Sequence, residues 1–240
     1  MFAPELKCTL SVSVRFVHAE DTESDLRHGH HIYFLNIPFY NERASAPQRI
    51  RIVIGADRVN YVRNYYQSVS DVLLKIPQEP VDQIIAAFKR ARAEQQRIFI
   101  FGNGGSAANA SHFVVDVIKS TVRPDQPRYK IICLNDNMPT VTAYSNDVSY
   151  DVIFSEPLAA LAEPGDVAIA ISGSGNSPNV LRAMDMAKEM GLARVGLTGY
   201  AGGKLKDKCD VCVIVPSDSM QVIEDAHLVI LHSIFLSLCQ

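Results

Sequence analysis

A glycine-rich turn and an acid–histidine pair follow one another closely in the stretch GNGGSAANASHFVVD, residues 102–116. Glycines let backbone N–H groups approach an anion, and a helix that follows such a turn adds a positive partial charge. His112 and Asp116 are four residues apart, so on a helix they share one face and can reach one ion or move one proton. The stretch therefore predicts an anion site beside a metal or acid–base site. The alternative is a helix cap followed by an ordinary surface pair.

A second turn of the same kind, SGSGNS at residues 172–177, also follows an apolar run. Its hydroxyl donors Ser172, Ser174 and Ser177 suit a terminal phosphate. Neither turn carries the lysine of a Walker loop, and neither matches the dinucleotide fingerprint. One such turn alone would indicate an ordinary strand–helix connection. Two turns with so many donors favour phosphate binding.

The last stretch of the chain, SMQVIEDAHLVILHSIFLSLCQ, predicts a long apolar helix that carries ionisable residues, namely Glu224, Asp225, His227 and His232. Charged residues are rarely buried unless they are paired or bind a metal, and carboxylates with imidazoles suit zinc or another divalent transition metal. Glu224 and His232 are about 12 Å apart along a straight helix. If both bind one ion, we expect the ligands to come from different chains. Burial against another subunit would also explain so apolar a helix.

The elements that must position these residues alternate between strands and helices from residue 59 onward. Amphipathic stretches predict helices, with Pro80 and Pro178 near helix starts and Gly191 as a stop. This alternation predicts an α/β fold in which a parallel sheet is covered by helices on both faces. Five short apolar runs predict the strands, and these are RIFIFG, YKIICLN, GDVAIAIS, ARVGLTGY and VCVIVPS.

The chain divides near residue 58 into an N-terminal extension, 1–58, and an α/β domain, 59–240. The extension contains strand-like runs and no clear helix, and its pattern does not define one fold. The alternation of apolar and polar residues in KCTLSVSVRF predicts a hairpin or an edge strand. A histidine cluster, His28, His30 and His31, could bind a metal. Because no carboxylate or cysteine lies nearby, a solvated loop is the favoured interpretation.

Composition excludes several classes of protein. The net charge of −3 over 240 residues gives no basic field for nucleic acid, and no apolar run is judged long enough for the roughly 20 residues of a membrane span. No signal peptide is evident, so we expect a cytoplasmic protein. Five scattered cysteines predict no disulfide framework. Cys209 and Cys212 form a C-x-x-C pair in a strand-like run, which should point the thiols to opposite faces and disfavours a redox or zinc role.

Several of these stretches, in this order, resemble the sugar isomerase (SIS) domain family. They are GNGGSAANASHF, NDVSYDVIFSE, ISGSGNSPNVLRAM, LTGYAGGKLKDKCD and IEDAHLVILH. The resemblance covers the chain from about residue 59 to its end and is strongest to the phosphoheptose isomerases. It implies a five-stranded parallel sheet in a flavodoxin-like three-layer sandwich, and a tetramer with sites at subunit contacts. It also implies isomerisation of a phosphorylated sugar between aldose and ketose forms through an enediolate. The substrate it favours is sedoheptulose 7-phosphate.

The resemblance also implies roles for individual residues. Those implied to contact the sugar or its phosphate are Asn103, Gly104, Gly105, Ser106, Asn146, Asp147, Ser172, Gly173, Ser174, Ser177 and Glu224. Those implied to bind zinc are His112, Asp116, Glu224 and His232, of which Asp116 and His232 also form the acid–base pair.

Three positions depart from the usual pattern of the family. Asp116 stands where the family usually has Glu, Glu224 where it has Gln, and Gly173 where it commonly has Thr. Asp116 and Gly173 favour an alternative: a non-catalytic SIS protein that binds a sugar phosphate as a regulator, or as an adaptor for a replication initiator. The two histidines, His112 and His232, favour the enzyme, because a scaffold needs neither.

Overall fold

The computed structural model describes residues 32–39, 48–55 and 57–240, with side chains from residue 60 onward. Contacts divide the chain into two units, Met1–Tyr66 and Gln67–Gln240. The strand predicted in KCTLSVSVRF and the cluster of His28, His30 and His31 lie outside the described residues.

In the first unit, the described strands form an antiparallel pair. β1 (Ile32–Phe39) pairs with β2 (Gln48–Gly55), with Ile32 opposite Gly55 and Phe39 opposite Gln48. Strand-like runs of the extension, IYFLNIPF and QRIRIVIG, therefore form strands, as the sequence pattern indicated. α1 (Asp57–Leu73) follows and crosses from the first unit into the second.

The second unit is an α/β fold with a five-stranded sheet, as predicted. Its strands lie in the order β4-β3-β5-β6-β7, and every neighbouring pair is parallel. This is the flavodoxin-like order, in which the chain starts in the middle of the sheet and reverses direction once. The elements are α2 (Gln78–Ala93), β3 (Arg97–Gly102), α3 (Gly105–Ser120), β4 (Lys130–Cys133), α4 (Met138–Asp147), α5 (Ser155–Leu161), β5 (Val167–Ser172), α6 (Pro178–Glu189), β6 (Ala193–Thr198), β7 (Val211–Ile214) and α7 (Met220–Leu238).

Helices cover both faces of this sheet. α2, α3 and α7 pack together on one face, while α5 and α6 pack on the other. On the α6 face, Phe99 and Phe101 of β3 lie beside Ala168 and Ala170 of β5 in register, and all four are fully buried. Pairing a large with a small side chain leaves room for α6 to approach the sheet closely. On the opposite face, the rings of Phe88 and Phe113 meet edge to face at 5.6 Å.

α7 is long and apolar enough to cross a membrane when judged by length and composition alone. The expectation that no apolar run is long enough to span a membrane is therefore wrong for the length of α7. Eight of its residues are buried within the fold, and its buried side packs against α2 and α3. The helix also carries Glu224 and His232, which a lipid-facing surface would disfavour. From the sequence, the apolar surface of this helix was expected to be buried against another subunit. Packing against α2 and α3 of the same chain accounts for much of that burial.

One helix was not predicted. α4 follows β4, begins after the cap residue Asn137, whose side chain accepts a hydrogen bond from Thr140 N, and buries none of its residues. Its contacts with the core come from the partly buried Val141 and Tyr144, so its amphipathic pattern is weak and periodicity does not reveal it.

Candidate functional site

Both predicted turns lie at the carboxyl ends of neighbouring strands. The glycine turn (residues 102–106) follows β3, and the serine loop (residues 172–177) follows β5, which pairs with β3. The chain leaves β3 toward β4 on one side and returns through β5 on the other, so these two ends flank the switch point of the sheet. Ligands of open parallel sheets bind in the crevice at such a point.

The serine loop brings its hydroxyl groups together. The Oγ atoms of Ser172 and Ser177 are 3.3 Å apart, and Ser174 Oγ accepts a hydrogen bond from the backbone N–H of Asn176. Gly173 packs under the first residue of α7: a Cβ at this position would lie 2.5 Å from Met220 Sδ. Met220 therefore occupies the space that a threonine side chain would need. A larger residue at position 173 would therefore require the flexible Met220 side chain to move.

A second loop, residues 199–205, holds the serine loop in place. The backbone N–H of Leu205 donates to Gly175 O at 3.0 Å, and that of Lys204 donates to the side chain of Asn176. Gly175 has φ +64°, and a Cβ there would lie 2.3 Å from the carbonyl oxygen of Gly202. The two loops therefore approach so closely that only glycine fits at residue 175.

The glycine turn is fixed by the end of the neighbouring strand. The Asn135 side chain donates to Gly102 O at 2.8 Å and accepts from Gly102 N at 3.3 Å. A Cβ at Gly102 would meet Ile171 O at 2.6 Å, so β3 and β5 are close at this level. Gly104, with φ +55°, then precedes α3, and the N–H groups of Ser106 and Ala107 in its first turn donate to Asn103 O and Gly104 O.

Asn103 belongs to a network that the sequence did not predict. Its carboxamide and that of Asn179 bond reciprocally at 2.9 and 3.0 Å, and the Tyr150 hydroxyl donates to Asn103 Oδ1 at 3.0 Å. Asn179 is 1% exposed and lies at the start of α6, two residues after Ser177. The network therefore ties the glycine turn to the serine loop. The one feature of the sequence that pointed to a role for Asn179 in this network was its position just after the serine loop.

Three of the predicted metal ligands come together where α3 packs against α7. The Nε2 atoms of His112 and His232 are 3.2 Å apart, and they lie 3.3 and 3.4 Å from Asp116 Oδ2. We call these residues the imidazole–carboxylate cluster. Although Asp116 is one methylene shorter than the Glu usual in the family, its carboxylate reaches both imidazoles. Among the described residues, this is the group of three whose ligand atoms are close enough to hold one ion.

The geometry of this cluster fits a tetrahedral metal site. Zinc binds nitrogen and oxygen ligands at about 2.0–2.2 Å, which places neighbouring ligand atoms of a tetrahedron roughly 3.3–3.6 Å apart. Of the three separations, 3.3 and 3.4 Å lie at the short end of this range and 3.2 Å lies just below it. Asp116 Oδ2 is buried and accepts no hydrogen bond from any described residue. Buried carboxylate oxygens normally accept at least one hydrogen bond. Asp116 Oδ2 accepts none within the described part of the chain, and a bound cation would supply the missing partner.

The structure does not bring Glu224, the fourth predicted ligand, into this cluster. Its carboxylate lies at the start of α3, where a Cβ on Gly105 would be 2.7 Å from both carboxylate oxygens. The Asn109 side chain donates to Glu224 O at 3.0 Å and holds α7 against α3 at this level. Glu224 is therefore beside the glycine turn, where an anionic side chain also meets the positive end of α3.

The other predicted residues lie nearby in the chain but outside these networks. Asn146 and Asp147 are exposed at the end of α4, where the Asn146 side chain donates to Asp147 Oδ1 at 2.7 Å. Ser106, the last residue of the glycine turn, is buried. His227, noted in the last helix, is fully buried and donates from Nε2 to Thr198 O. Burial lowers the pKa of His227 to about 4, so it is neutral and has a structural role.

The geometry predicted for the two cysteines of C-x-x-C is wrong. Cys209 lies before β7, after a short 3-10 turn at Lys206–Lys208, and the chain bends at Asp210. As a result both thiols are on one side of the sheet: a Cβ on Gly196 would lie 2.6 Å from Cys209 Sγ and 3.1 Å from Cys212 Sγ. The alternation of a strand could not apply, because only Cys212 is in the strand.

Residues 64–199 match the family model described as the SIS domain. The chain belongs to the SIS domain family. This match confirms the resemblance inferred from the motifs, and the five-stranded parallel sheet is the fold expected for it. The match also spans the glycine turn, the serine loop, His112 and Asp116, so most of the site described above lies within the matched SIS domain.

Relatives of this SIS domain protein include named isomerases. A probable phosphoheptose isomerase from Thermoplasma acidophilum is 37% identical over 172 residues, covering 72% of this chain and 94% of that protein. The phosphoheptose isomerase from Paramagnetospirillum magneticum is 40% identical over 156 residues, covering 65% and 81%.

Solved structures agree with these relatives. A phosphoheptose isomerase from Francisella tularensis has 28% identity and a TM-score of 0.70, over 77% of this chain and 97% of that chain. The Vibrio vulnificus NanR protein complexed with ManNAc-6P is 15% identical, with a TM-score of 0.55, over 77% and 62%. It shares the fold alone.

Proposed function

We propose that this chain is an aldose–ketose isomerase that converts sedoheptulose 7-phosphate into D-glycero-D-manno-heptose 7-phosphate in the cytoplasm. The observation that carries the proposal is the imidazole–carboxylate cluster, in which a buried carboxylate oxygen of Asp116 faces two imidazoles. The substrate is supported by relatives 37–40% identical that are named phosphoheptose isomerases. In this proposal, residues 59–240 are the isomerase domain and residues 1–58 an N-terminal extension to it.

The reaction needs a base, an acid and a group that stabilises an oxyanion. Asp116 and His232 supply the acid–base pair, with either residue as the base. The base removes a proton from the carbon next to the carbonyl, which leaves an enediolate, and the proton returns to the neighbouring carbon. The partner residue donates a proton to the oxygen on which negative charge develops. His112, 3.3 Å from Asp116 Oδ2, keeps the carboxylate oriented.

A zinc ion fits the same cluster, with His112, Asp116 and His232 as its ligands. Two imidazoles and a carboxylate are a set of donors that zinc favours, and their spacing matches a tetrahedral site. When bound, the ion would polarise the carbonyl and hydroxyl oxygens of the sugar. For Glu224 we propose contact with the substrate beside the glycine turn. A role as fourth ligand would require Glu224 to come from a second chain.

The remaining site residues bind and orient the substrate. The hydroxyls of the serine loop hold the phosphate, and the backbone N–H groups of the glycine turn, with Asn103, contact the sugar. Asn146 and Asp147 supply further polar contacts to its hydroxyl groups. Binding energy from the phosphate, which does not react, then positions the carbonyl end of the sugar.

The substrate site is completed by a second copy of the chain in a tetramer. Gly173 lies against Met220, and His232 is twelve residues further along α7, about 18 Å of helix rise. This distance exceeds the length of a seven-carbon sugar phosphate. The imidazoles also face outward, with side chains 49% exposed at His112 and 40% at His232. The serine loop of one chain therefore serves the imidazole–carboxylate cluster of another.

Hydrogen exchange tests the reaction. The protein is incubated with sedoheptulose 7-phosphate in deuterated water, with and without added zinc, and deuterium at the carbon beside the carbonyl is measured. We expect label uptake in the unmodified protein and its loss in Asp116→Asn and His232→Gln. Asp82→Asn, which changes an exposed carboxylate on α2, is the matched control and should exchange normally. A protein that binds the sugar phosphate but never exchanges would favour the non-catalytic SIS module instead.

Complementation tests the two-chain site. A variant with Ser172→Ala and Ser177→Ala is mixed with His232→Ala under conditions that exchange subunits. If loop and cluster come from different chains, roughly one quarter of the sites in a random mixture regain both halves. Activity that stays at the level of the separate variants, in assemblies shown by mass spectrometry to be mixed, would mean that each site lies within one chain.

A further inference from the structure

Cys209 and Cys212 form a dithiol that the proposed isomerase reaction does not use. Both sulfurs lie over Gly196 in β6, close to the position that a Cβ atom would occupy there. Because glycine has no side chain, there is room for both. The bend at Asp210 brings Cys209 back over the strand that carries Cys212. Both residues are half-buried, so a small reagent can reach them.

The two thiols differ in acidity. A hydrogen bond from Cys209 holds the pKa of Cys212 below its ordinary value, whereas that bond and burial raise the pKa of Cys209. The charges around the pair oppose one another: Asp207 raises and Lys206 lowers the pKa of Cys212, while Arg194 lowers and Asp210 raises that of Cys209. The thiolate is the reactive form of cysteine, so Cys212 is the attacking sulfur and Cys209 is the neighbouring, protonated thiol.

The dithiol is connected to the serine loop through one residue. Cys209 Sγ lies 3.2 Å from Leu205 O, to which its single S–H donates whenever it is not directed at Cys212, and the N–H of Leu205 donates to Gly175 O at 3.0 Å. Gly175 N in turn donates to Ser172 O. Because the two loops are in van der Waals contact here, a shift at Cys209 is transmitted to the phosphate-binding hydroxyls.

We propose that Cys209 and Cys212 are a reversible redox site, which a low-molecular-weight disulfide such as oxidised glutathione converts to an intramolecular disulfide. The Cys212 thiolate attacks the glutathione disulfide, forms a mixed disulfide and releases one glutathione thiolate. Cys209 loses its proton to solvent and attacks Cys212 Sγ, which releases the second glutathione. Two protein thiols are oxidised and one glutathione disulfide is reduced to two thiols. Oxidation removes the hydrogen bond to Leu205 and loosens the serine loop.

Mass spectrometry tests the redox site without reference to enzyme activity. The full-length protein is equilibrated in mixtures of reduced and oxidised glutathione, alkylated and digested. We expect a single transition in which one peptide containing Cys209 and Cys212 loses two hydrogen atoms, reversed by dithiothreitol. Cys209→Ser should instead accumulate a mixed disulfide at Cys212, and Cys239→Ser, the matched control, should behave as the unmodified protein. Two thiols that stay reduced, or that only form separate mixed disulfides, would overturn the proposal.

The effect on the serine loop rests on the proposed function and is measured separately. Loss of one hydrogen bond corresponds to a rise in KM for the sugar phosphate of roughly 2- to 12-fold, with kcat unchanged. Cys209→Ser and Cys212→Ser should remove this dependence on oxidation. If the disulfide forms but KM does not change, the link to the serine loop is refuted and the redox site stands. If the protein has no isomerase activity, isothermal calorimetry with a sugar phosphate gives the same comparison.

Discussion

Replacement of Asn179 by alanine tests whether the Asn103–Asn179–Tyr150 network positions the glycine turn. Asn179 is 1% exposed and makes two hydrogen bonds with the carboxamide of Asn103. Each such bond contributes about 0.5–1.5 kcal/mol, and the truncation adds a small cavity. Asn103 remains half-buried and can recover part of the loss through water. We therefore expect Asn179→Ala to lower the free energy of unfolding by about 2–3 kcal/mol.

The isosteric variant Asn179→Asp should be worse than the truncation. Asp keeps an acceptor for the Asn103 amide but replaces the donor with an oxygen that faces Asn103 Oδ1, which is 3.0 Å away in the native pair. The variant therefore buries a carboxylate beside a carbonyl oxygen, at a cost above that of a lost hydrogen bond. Urea unfolding gives the free energies, and a domain of this size should lose about 2–4 °C in Tm per kcal/mol.

Two controls separate stability from positioning. Tyr150→Phe removes only the donor to Asn103 Oδ1 from a half-exposed side chain. It should leave stability within about 0.5 kcal/mol and raise KM for the sugar phosphate. Gln83→Ala, on the exposed face of α2, should change neither quantity. The reasoning is refuted if Asn179→Asp is as stable as the unmodified protein, because the reciprocal carboxamide pair would then contribute nothing.

Three further predictions concern the core, a loop and a buried histidine. Phe101→Ala, at a fully buried position, should lower the free energy of unfolding by about 3–5 kcal/mol in urea titrations. Gly175→Ala should weaken sugar-phosphate binding in calorimetry, because its Cβ would meet Gly202 O at 2.3 Å. Gly104→Ala meets no atom within 4 Å but would hold alanine at φ +55° and ψ −122°, outside the left-handed helical region, at a cost of about 1–3 kcal/mol of backbone strain. The pKa of His227 is about 4 in the folded protein and 6.5 in the unfolded chain. Between pH 6.5 and pH 4 the unfolded chain therefore binds a proton at this residue that the folded protein does not bind. Stability should therefore fall by about 3 kcal/mol as the pH drops from 6.5 to 4, and His227→Gln should flatten this part of the curve.

The fold was predictable because its elements carry strong local patterns. Each core strand is a short apolar run, and three of the five, β3, β5 and β6, end in glycine or a small polar residue. The helices between them begin near a proline or end at a glycine such as Gly191, whose φ is +75°. α4 has a proline in its first turn, but none of its residues is buried, so it lacks the apolar periodicity of the other helices. Periodicity detects a buried face, and a helix without one has to be found from its neighbours in space.

The site was predictable only where it depends on spacing within one element. His112 and Asp116 are one helix turn apart, so their common target follows from their spacing alone. The partnership of Asn103 with Asn179 joins residues 76 positions apart, and the proximity of Cys209 to Cys212 depends on a bend at Asp210. Neither arrangement has a periodic signature, because both are set by tertiary packing.

The rise of the helices explains which of the predicted ligands meet. Glu224 lies against Gly105, so α7 and α3 are aligned at this level. Eight residues further along α7 is His232, about 12 Å away, and seven residues further along α3 is His112, about 10 Å away. These nearly equal steps bring the two imidazoles together and leave Glu224 two turns behind. The same 12 Å along α7 therefore leaves three of the four predicted ligands together. The position of Glu224 beside the glycine turn supports the proposal that it contacts the substrate.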